Sequence, residues 1–165
     1  MDVEMEDYYR IRDLTADGRL NVIKRAGIED AENLAGMAIQ MWTDHTPEDL
    51  AEEFRTLVMN DETACFIKYV DEKPIAFAYC QLRHDYVEGT ENSPVGYLEG
   101  IFVSDEYRRN GYAAELLAEC EKWAKEKGCT EFASDCELDN EESLKFHLAL
   151  GFEEANRIIC FKKGI

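Results

Sequence analysis

Glu99 stands inside an apolar run, Tyr97-Leu98-Glu99-Gly100-Ile101-Phe102-Val103, and a short loop later the chain reads Arg108-Arg109-Asn110-Gly111-Tyr112-Ala113-Ala114. A carboxylate in such a run is costly to bury without a partner, so Glu99 must face something polar. Two readings of it stay open on the residues alone: a structural ion pair, or a group that exchanges a proton with a substrate. The second stretch leads from a strand into a helix, where backbone N–H groups of a tight turn converge and the helix dipole adds positive potential. Gly111 permits a backbone conformation closed to other residues, and the small Ala113 and Ala114 let a ligand approach the first turn closely. A pyrophosphate fits such a cradle, although Gly and Arg also occur in turns of this kind for purely structural reasons.

Further candidates lie elsewhere in the chain. Asp135 falls near the end of Phe132-Ala133-Ser134-Asp135-Cys136, at a strand's C-terminal edge, where open sheets containing helices usually bind ligands; a turn or cap is its structural alternative. Trp42 and His45 follow the first predicted helix, as either core and interface or a binding platform. Tyr86 occupies a polar loop, a common place for binding residues, with Asp85, Glu88 and Glu91 beside it. The six cysteines form no C-x-x-C pair. They read as reduced core thiols without an activating partner, so no covalent enzyme intermediate is expected.

The elements that must hold these residues follow from periodicity and turn chemistry. "NVIKRA" reads as a strand; Ile28, Ala31, Leu34, Ala38 and Met41 recur at helical spacing; Thr46-Pro47-Glu48-Asp49 is a strong helix start. "TACFIKYV" and "IAFAYCQLR" form a hairpin, the loop "HDYVEGTENSPVG" leads into "YLEGIFV", and "AAELLAECEKWAKEKG" is an amphipathic helix ending at Gly128. "CTEFASDC" reads as a strand, "NEESLKFHLAL" as a helix ending at Gly151, and "RIICFKK" as a last strand. The order implies a mixed sheet with helices on its faces. Residues 1–20 read as an extension of unassigned role and residues 21–165 as one domain.

Eighteen basic residues against 36 acidic ones give a formal charge of -18. That argues against nucleic-acid or anionic-membrane partners and suits a cationic one. The acidic start and the lack of an apolar run of ~20 residues point to the cytoplasm.

The stretch "IFVSDEYRRNGYAAELLAECEKWAKEKG", with "NEESLKFHLALGF" after it, resembles the GNAT acyl-CoA-dependent N-acetyltransferases, whose R/Q-x-x-G-x-G/A loop holds the pyrophosphate of coenzyme A. With "MWTDH", "RHDYVEGTENSPVGYLEGIFV" and "GCTEFASDCELDN", the likeness narrows to the aminoglycoside 6′-N-acetyltransferases. It implies a mostly antiparallel sheet with one splayed parallel strand pair, helices on both faces, acetyl-CoA as co-substrate without a metal, and a homodimer. It further implies that Trp42, His45, Tyr86, Glu99 and Asp135 contact a cationic aminosugar. Ile101, Phe102 and Val103 would offer the strand edge to the pantetheine arm, and Arg108, Arg109, Asn110, Gly111, Tyr112, Ala113, Ala114 and Asn140 would contact coenzyme A. Two positions depart from the pattern: Asn156 stands where an acid is common, reshaping one substrate contact, and His147 replaces the usual tyrosine four residues before Gly151-Phe152. An imidazole donates a proton near neutral pH, which suits protonation of the leaving thiolate. Glu99, or failing it Asp135, would accept the amine's proton. Two other functions share the same loop: acetylation of another small polyamine or amino sugar, and a non-catalytic acyl-CoA-binding module.

Overall fold

The computed structural model describes residues 10–11, 18 and 20–165, so most of the N-terminal extension lies outside the described residues. A six-stranded sheet runs in sequential order: β1 (Arg10–Ile11), β2 (Asn21–Arg25), β3 (Thr63–Val70), β4 (Lys73–Arg83), β5 (Val95–Val103) and β6 (Phe132–Ser134). Every neighbouring pair is antiparallel except β5–β6, which is parallel. The helices are α1 (Ala31–Ala38), α2 (Pro47–Val58), α3 (Tyr112–Glu126) and α4 (Glu141–Ala149).

Both faces of the central strands are covered, which is why β3 and β4 read as nearly unbroken apolar runs. Successive side chains alternate between the two faces. Ala64, Phe66, Ala76, Ala78, Cys80 and Leu98 pack with Leu116, Leu117, Cys120 and Trp123 of α3. Cys65, Ile67, Phe77 and Phe102 pack with Leu34, Ala38, Leu50 and Phe54 of α1 and α2. Burying each of these large side chains contributes about 1.5–3 kcal/mol.

The expected start of α2 is present: Thr46 Oγ1 accepts the Asp49 N–H at 3.1 Å and Pro47 occupies the first turn. The α3 stripe also stands as expected, with Gly128 beyond its end at φ 91°. The first helix is shorter than its periodicity implies. A 3-10 turn at Ile28–Asp30 precedes α1, where Asp30 Oδ2 accepts the Gly27 N–H, and Ile28 and Met41 remain exposed.

Two differences from the sequence reading concern strands. "CTEFASDC" contributes only Phe132–Ser134, because pairing with β5 stops after three residues. Residues 157–163, expected as a last strand, form none; Ile158, Ile159 and Phe161 are 62, 78 and 91 % exposed. A strand exists through its ladder, and this segment meets none among the described residues. Its apolar β-branched composition records the preference without a partner to satisfy it. Cys136 and Cys160 are likewise exposed, while Cys65, Cys80, Cys120 and Cys129 are the buried thiols.

Candidate active site at the strand fork

The parallel strands part where the sequence places its acid. Gly96, Tyr97 and Leu98 pair with Phe132, Ala133 and Ser134, and β5 then continues from Glu99 to Val103 with no β6 partner. On its other edge, Gly100 pairs with Tyr79 and Leu98 with Cys80, so Glu99 is the extra residue of a β-bulge. A bulge bends its strand and re-aims a side chain. Here it turns the carboxylate of Glu99 toward the end of β4, on the face that carries α1 and α2.

There Glu99 Oε1 accepts three hydrogen bonds: 3.0 and 2.7 Å from Arg83 Nε and Nη2, and 2.5 Å from Gln81 Nε2. Among the described residues no hydrogen bond reaches Oε2. The Glu99 side chain is 19 % exposed. The guanidinium of Arg83 lies 3.4 Å from the centroid of the Tyr97 ring, and Tyr97 in turn donates its hydroxyl to Asp135 Oδ2 at 2.5 Å. Gln81, Glu99, Arg83, Tyr97 and Asp135 therefore form one connected polar patch. Burial, and then the bond to Asp135, push the Tyr97 phenol well above its usual range.

Trp42 flanks this patch. Its backbone N–H closes the α1 end on Ala38 at 2.9 Å, and its ring packs against Phe54 and Phe77. A Cβ added to Gly100 would lie 2.9 Å from Trp42 Cζ2, so the indole rests on bare backbone one residue from Glu99. Trp42 is thus both a core residue and a wall of the site.

The loop after β5 begins with a 3-10 turn, Asp105–Tyr107. Arg109 and Gly111 both adopt left-handed backbone, φ 63° and 78°. The Arg109 conformation is one a non-glycine residue holds at a cost of about 1–3 kcal/mol. Gly111 is the N-cap of α3 and offers no side chain, so the first-turn amides carry no side-chain cap. Two residues expected to meet a ligand also brace the loop: Asn110 Nδ2 donates to the carbonyls of Tyr107 and Arg108 at 2.9 and 3.2 Å, and Arg108 Nε donates to Val103 O at 3.2 Å.

On the opposite face of the fork, His147 Nε2 lies 2.8 Å from Ser134 Oγ, and Nδ1 is 2.7 Å from the Ser143 carbonyl. A carbonyl only accepts, so Nδ1 carries a proton there, while Ser134 Oγ lies between Nε2 and the Leu98 carbonyl, the latter at 3.4 Å. Asn140, expected at coenzyme A, N-caps α4 by accepting the Ser143 N–H at 3.0 Å.

Tyr86, His45 and Asn156 stand apart from this hydrogen-bonded patch. Tyr86 is 77 % exposed. Its loop is anchored by Glu131, whose carboxylate accepts the N–H groups of Glu91 and Asn92. Those bonds, with the Asn92 side chain, hold the Glu131 carboxyl below the usual range. Asn156 Nδ2 donates to Glu88 of the same loop at 3.0 Å, and His45 sits in the turn after Trp42. Sequence reasoning missed Gln81, Arg83, Tyr97 and Ser134. Two polar residues spaced by two at the end of apolar β4 were the available signal. Among the described residues no cluster of three or more His, Cys, Asp or Glu side chains is placed to hold a metal ion.

The chain matches the acetyltransferase (GNAT) family over residues 25–152. An aminoglycoside N(6')-acetyltransferase type 1 of Serratia marcescens is 41 % identical over 140 residues, covering 82 % of this chain and 96 % of the relative. One from Acinetobacter baumannii is 46 % identical over 126 residues, 76 % and 86 % of the respective chains. Among solved structures, AAC(6')-Iy in complex with the bisubstrate analog CoA-S-monomethyl-acetylneamine superposes with a TM-score of 0.84 at 38 % identity, covering 88 % of this chain and 99 % of that one. The antibiotic 6'-N-acetyltransferase AAC(6')-Ih from Acinetobacter baumannii gives 0.83 at 40 % identity, again covering 88 % and 99 %. With an open parallel fork, an uncapped turn at α3 and these relatives, the chain belongs to the acetyltransferase (GNAT) family and groups with its aminoglycoside N(6')-acetyltransferases.

Proposed function

We propose that this protein transfers the acetyl group of acetyl-CoA to the 6′-amino group of aminoglycoside antibiotics and so confers resistance to them. The observation that carries this reading is the fork itself: β5 loses its β6 partner at the residue where a bulge presents Glu99. An unpaired strand edge is a liability unless something completes its hydrogen bonds. The segment Ile101-Phe102-Val103 offers that edge to an extended, amide-bearing ligand. The first turn of α3, which Gly111 leaves without a side-chain cap, with Tyr112, Ala113, Ala114, Asn110, Arg109 and Arg108 around it, suits a diphosphate, with Asn140 as a further contact. Acetyl-CoA supplies the acetyl group as an activated thioester.

Glu99 is the proton acceptor. An aliphatic ammonium with lysine's ordinary pKa requires about 4.6 kcal/mol to lose its proton at pH 7, and a purely anionic pocket would raise that figure. Arg83 offsets this effect, since its charge sits against Oε1 and leaves Oε2 to face the amine. Asp135, held by Tyr97, orients the cation beside it and is the second candidate for the base. Trp42, His45, Tyr86 and Asn156 line the sugar's approach, and the charge of -18 concentrates a polycation there. A proton reaches the leaving sulfur when the imidazole carries one on Nε2 as well: Ser134 passes its hydroxyl proton to the thiolate and takes the Nε2 proton, which leaves His147 neutral with Nδ1–H still on the Ser143 carbonyl.

The exposed Ile158, Ile159 and Phe161 support a homodimer in which a second copy covers this segment. The thiols, all free among the described residues, fit a cytoplasmic location. The activity is tested by incubating the protein with acetyl-CoA and kanamycin or tobramycin, with spermidine as the competing amine. Mass spectrometry should find one acetyl group on the 6′ nitrogen. Turnover of spermidine alone would shift the substrate to polyamines, and coenzyme A binding without any turnover would leave a binding module.

A further inference from the structure

Lys68 lies in a row of β3 residues, with Ala64, Phe66 and Val70, that buries itself against α3, and it is only 3 % exposed. An apolar side chain would dock the helix there without removing a charge from water. The ammonium instead meets two residues of one helical turn: it pairs with the carboxylate of Glu115 and lies 4.4 Å from the centroid of the Tyr112 ring. Tyr112 and Glu115 are the first and fourth residues of α3, and the amides between them belong to the uncapped turn. Glu115 suits the helix dipole, but its charge opposes any phosphate seated at that turn, in a protein already at -18.

We propose that Lys68 is a positioning residue for the phosphorylated donor. It cancels the Glu115 charge from beneath and pins both ends of the first turn, so that the cradle stays receptive to a diphosphate. This assignment rests on the proposed seating of coenzyme A at that turn. Its effect is specific to donors that carry phosphate, because a donor without one has nothing for the cradle to hold.

The test compares acetyl-CoA with acetyl-pantetheine, which lacks the diphosphate, and measures coenzyme A binding by calorimetry. Lys68→Met should raise KM for acetyl-CoA and Kd for coenzyme A about tenfold, with kcat at saturation within about twofold and kcat/KM for acetyl-pantetheine unchanged. Lys68→Arg should bind near wild type, and Lys68→Met/Glu115→Gln should recover most of the loss. Glu115→Gln alone, changing a half-exposed side chain, should tighten coenzyme A binding, and this arm stands even if Lys68→Met does not fold. Equal loss with both donors, no recovery in the double variant, or weaker binding by Glu115→Gln would overturn the assignment while leaving the cradle in place. Failure of the wild-type protein to bind coenzyme A would remove the cradle as well.

Discussion

Arg83 grips one oxygen of Glu99 and not the other: Nε and Nη2 both donate to Oε1, at 3.0 and 2.7 Å. The pair orients the carboxylate and leaves Oε2, which no hydrogen bond reaches among the described residues, as the edge proposed to take the proton. Glu99→Gln preserves the shape and removes the basic oxygen, so kcat should fall by about 10²–10⁴ while coenzyme A binding is retained. Arg83→Met should instead lower kcat/KM for the amine about tenfold through lost orientation, with KM for acetyl-CoA unchanged. Steady-state kinetics with calorimetric Kd values separate the two.

The indole of Trp42 rests on Gly100 so closely that a single methyl group does not fit, the nearest ring atom being 2.9 Å from its position. Gly100→Ala should cost about 1–3 kcal/mol of stability, as overpacking does. It should also raise KM for the aminoglycoside by displacing the wall of the site. Trp42→Phe in the same chain should restore part of the stability. Thermal or denaturant unfolding of the three variants checks this.

His147 and Ser134 act as one unit if the imidazole reaches the donor sulfur through the hydroxyl. Groups acting in series give non-additive losses. Ser134→Ala, His147→Gln and the double variant should then lose kcat to the same extent, about 10²-fold at most, with KM values held. Independent structural roles would give losses that multiply.

Glu131 supplies a pH dependence whose sign is fixed by its hydrogen bonds. The backbone N–H of Glu91, first, and then the Asn92 side chain hold its carboxyl below its ordinary 4.5 in the folded chain. A depressed value means a contribution that is fully present above the unfolded pKa and lost as pH falls through the folded one. The loop bearing Tyr86 should therefore loosen as the pH falls below the ordinary glutamate range. Limited proteolysis of residues 84–94 across pH 3–6 should show the transition in the wild type, and Glu131→Gln should be cleaved readily throughout.

Much of this architecture is written plainly in the chain. The strands "TACFIKYV" and "YLEGIFV", the Thr46 cap and the Gly111 turn follow from local rules, and each is where those rules place it. The oxygen that Arg83 takes is not legible, because it depends on the bulge at Glu99, and an extra residue in one strand is a property of register between strands. Asn110 and Asn140 match a binding pattern, yet their side chains close local hydrogen bonds that short polar residues make readily. The segment 157–163 carries strand composition without strand structure, since pairing is decided by what lies alongside.

The sheet's sequential order has a kinetic corollary. Strands β3, β4 and β5 each meet the strand before them across a turn or loop, whereas β2 reaches β3 only past α1 and α2, and β6 reaches β5 only past α3. Ordering contacts of greater chain separation is slower, because loop closure must precede the reward. Substitutions in the β3–β4 hairpin should therefore alter the folding rate, and those at Phe132–Ser134 chiefly the unfolding rate. The fork proposed to receive the thioester would then take shape after the hairpins, among the later events of folding.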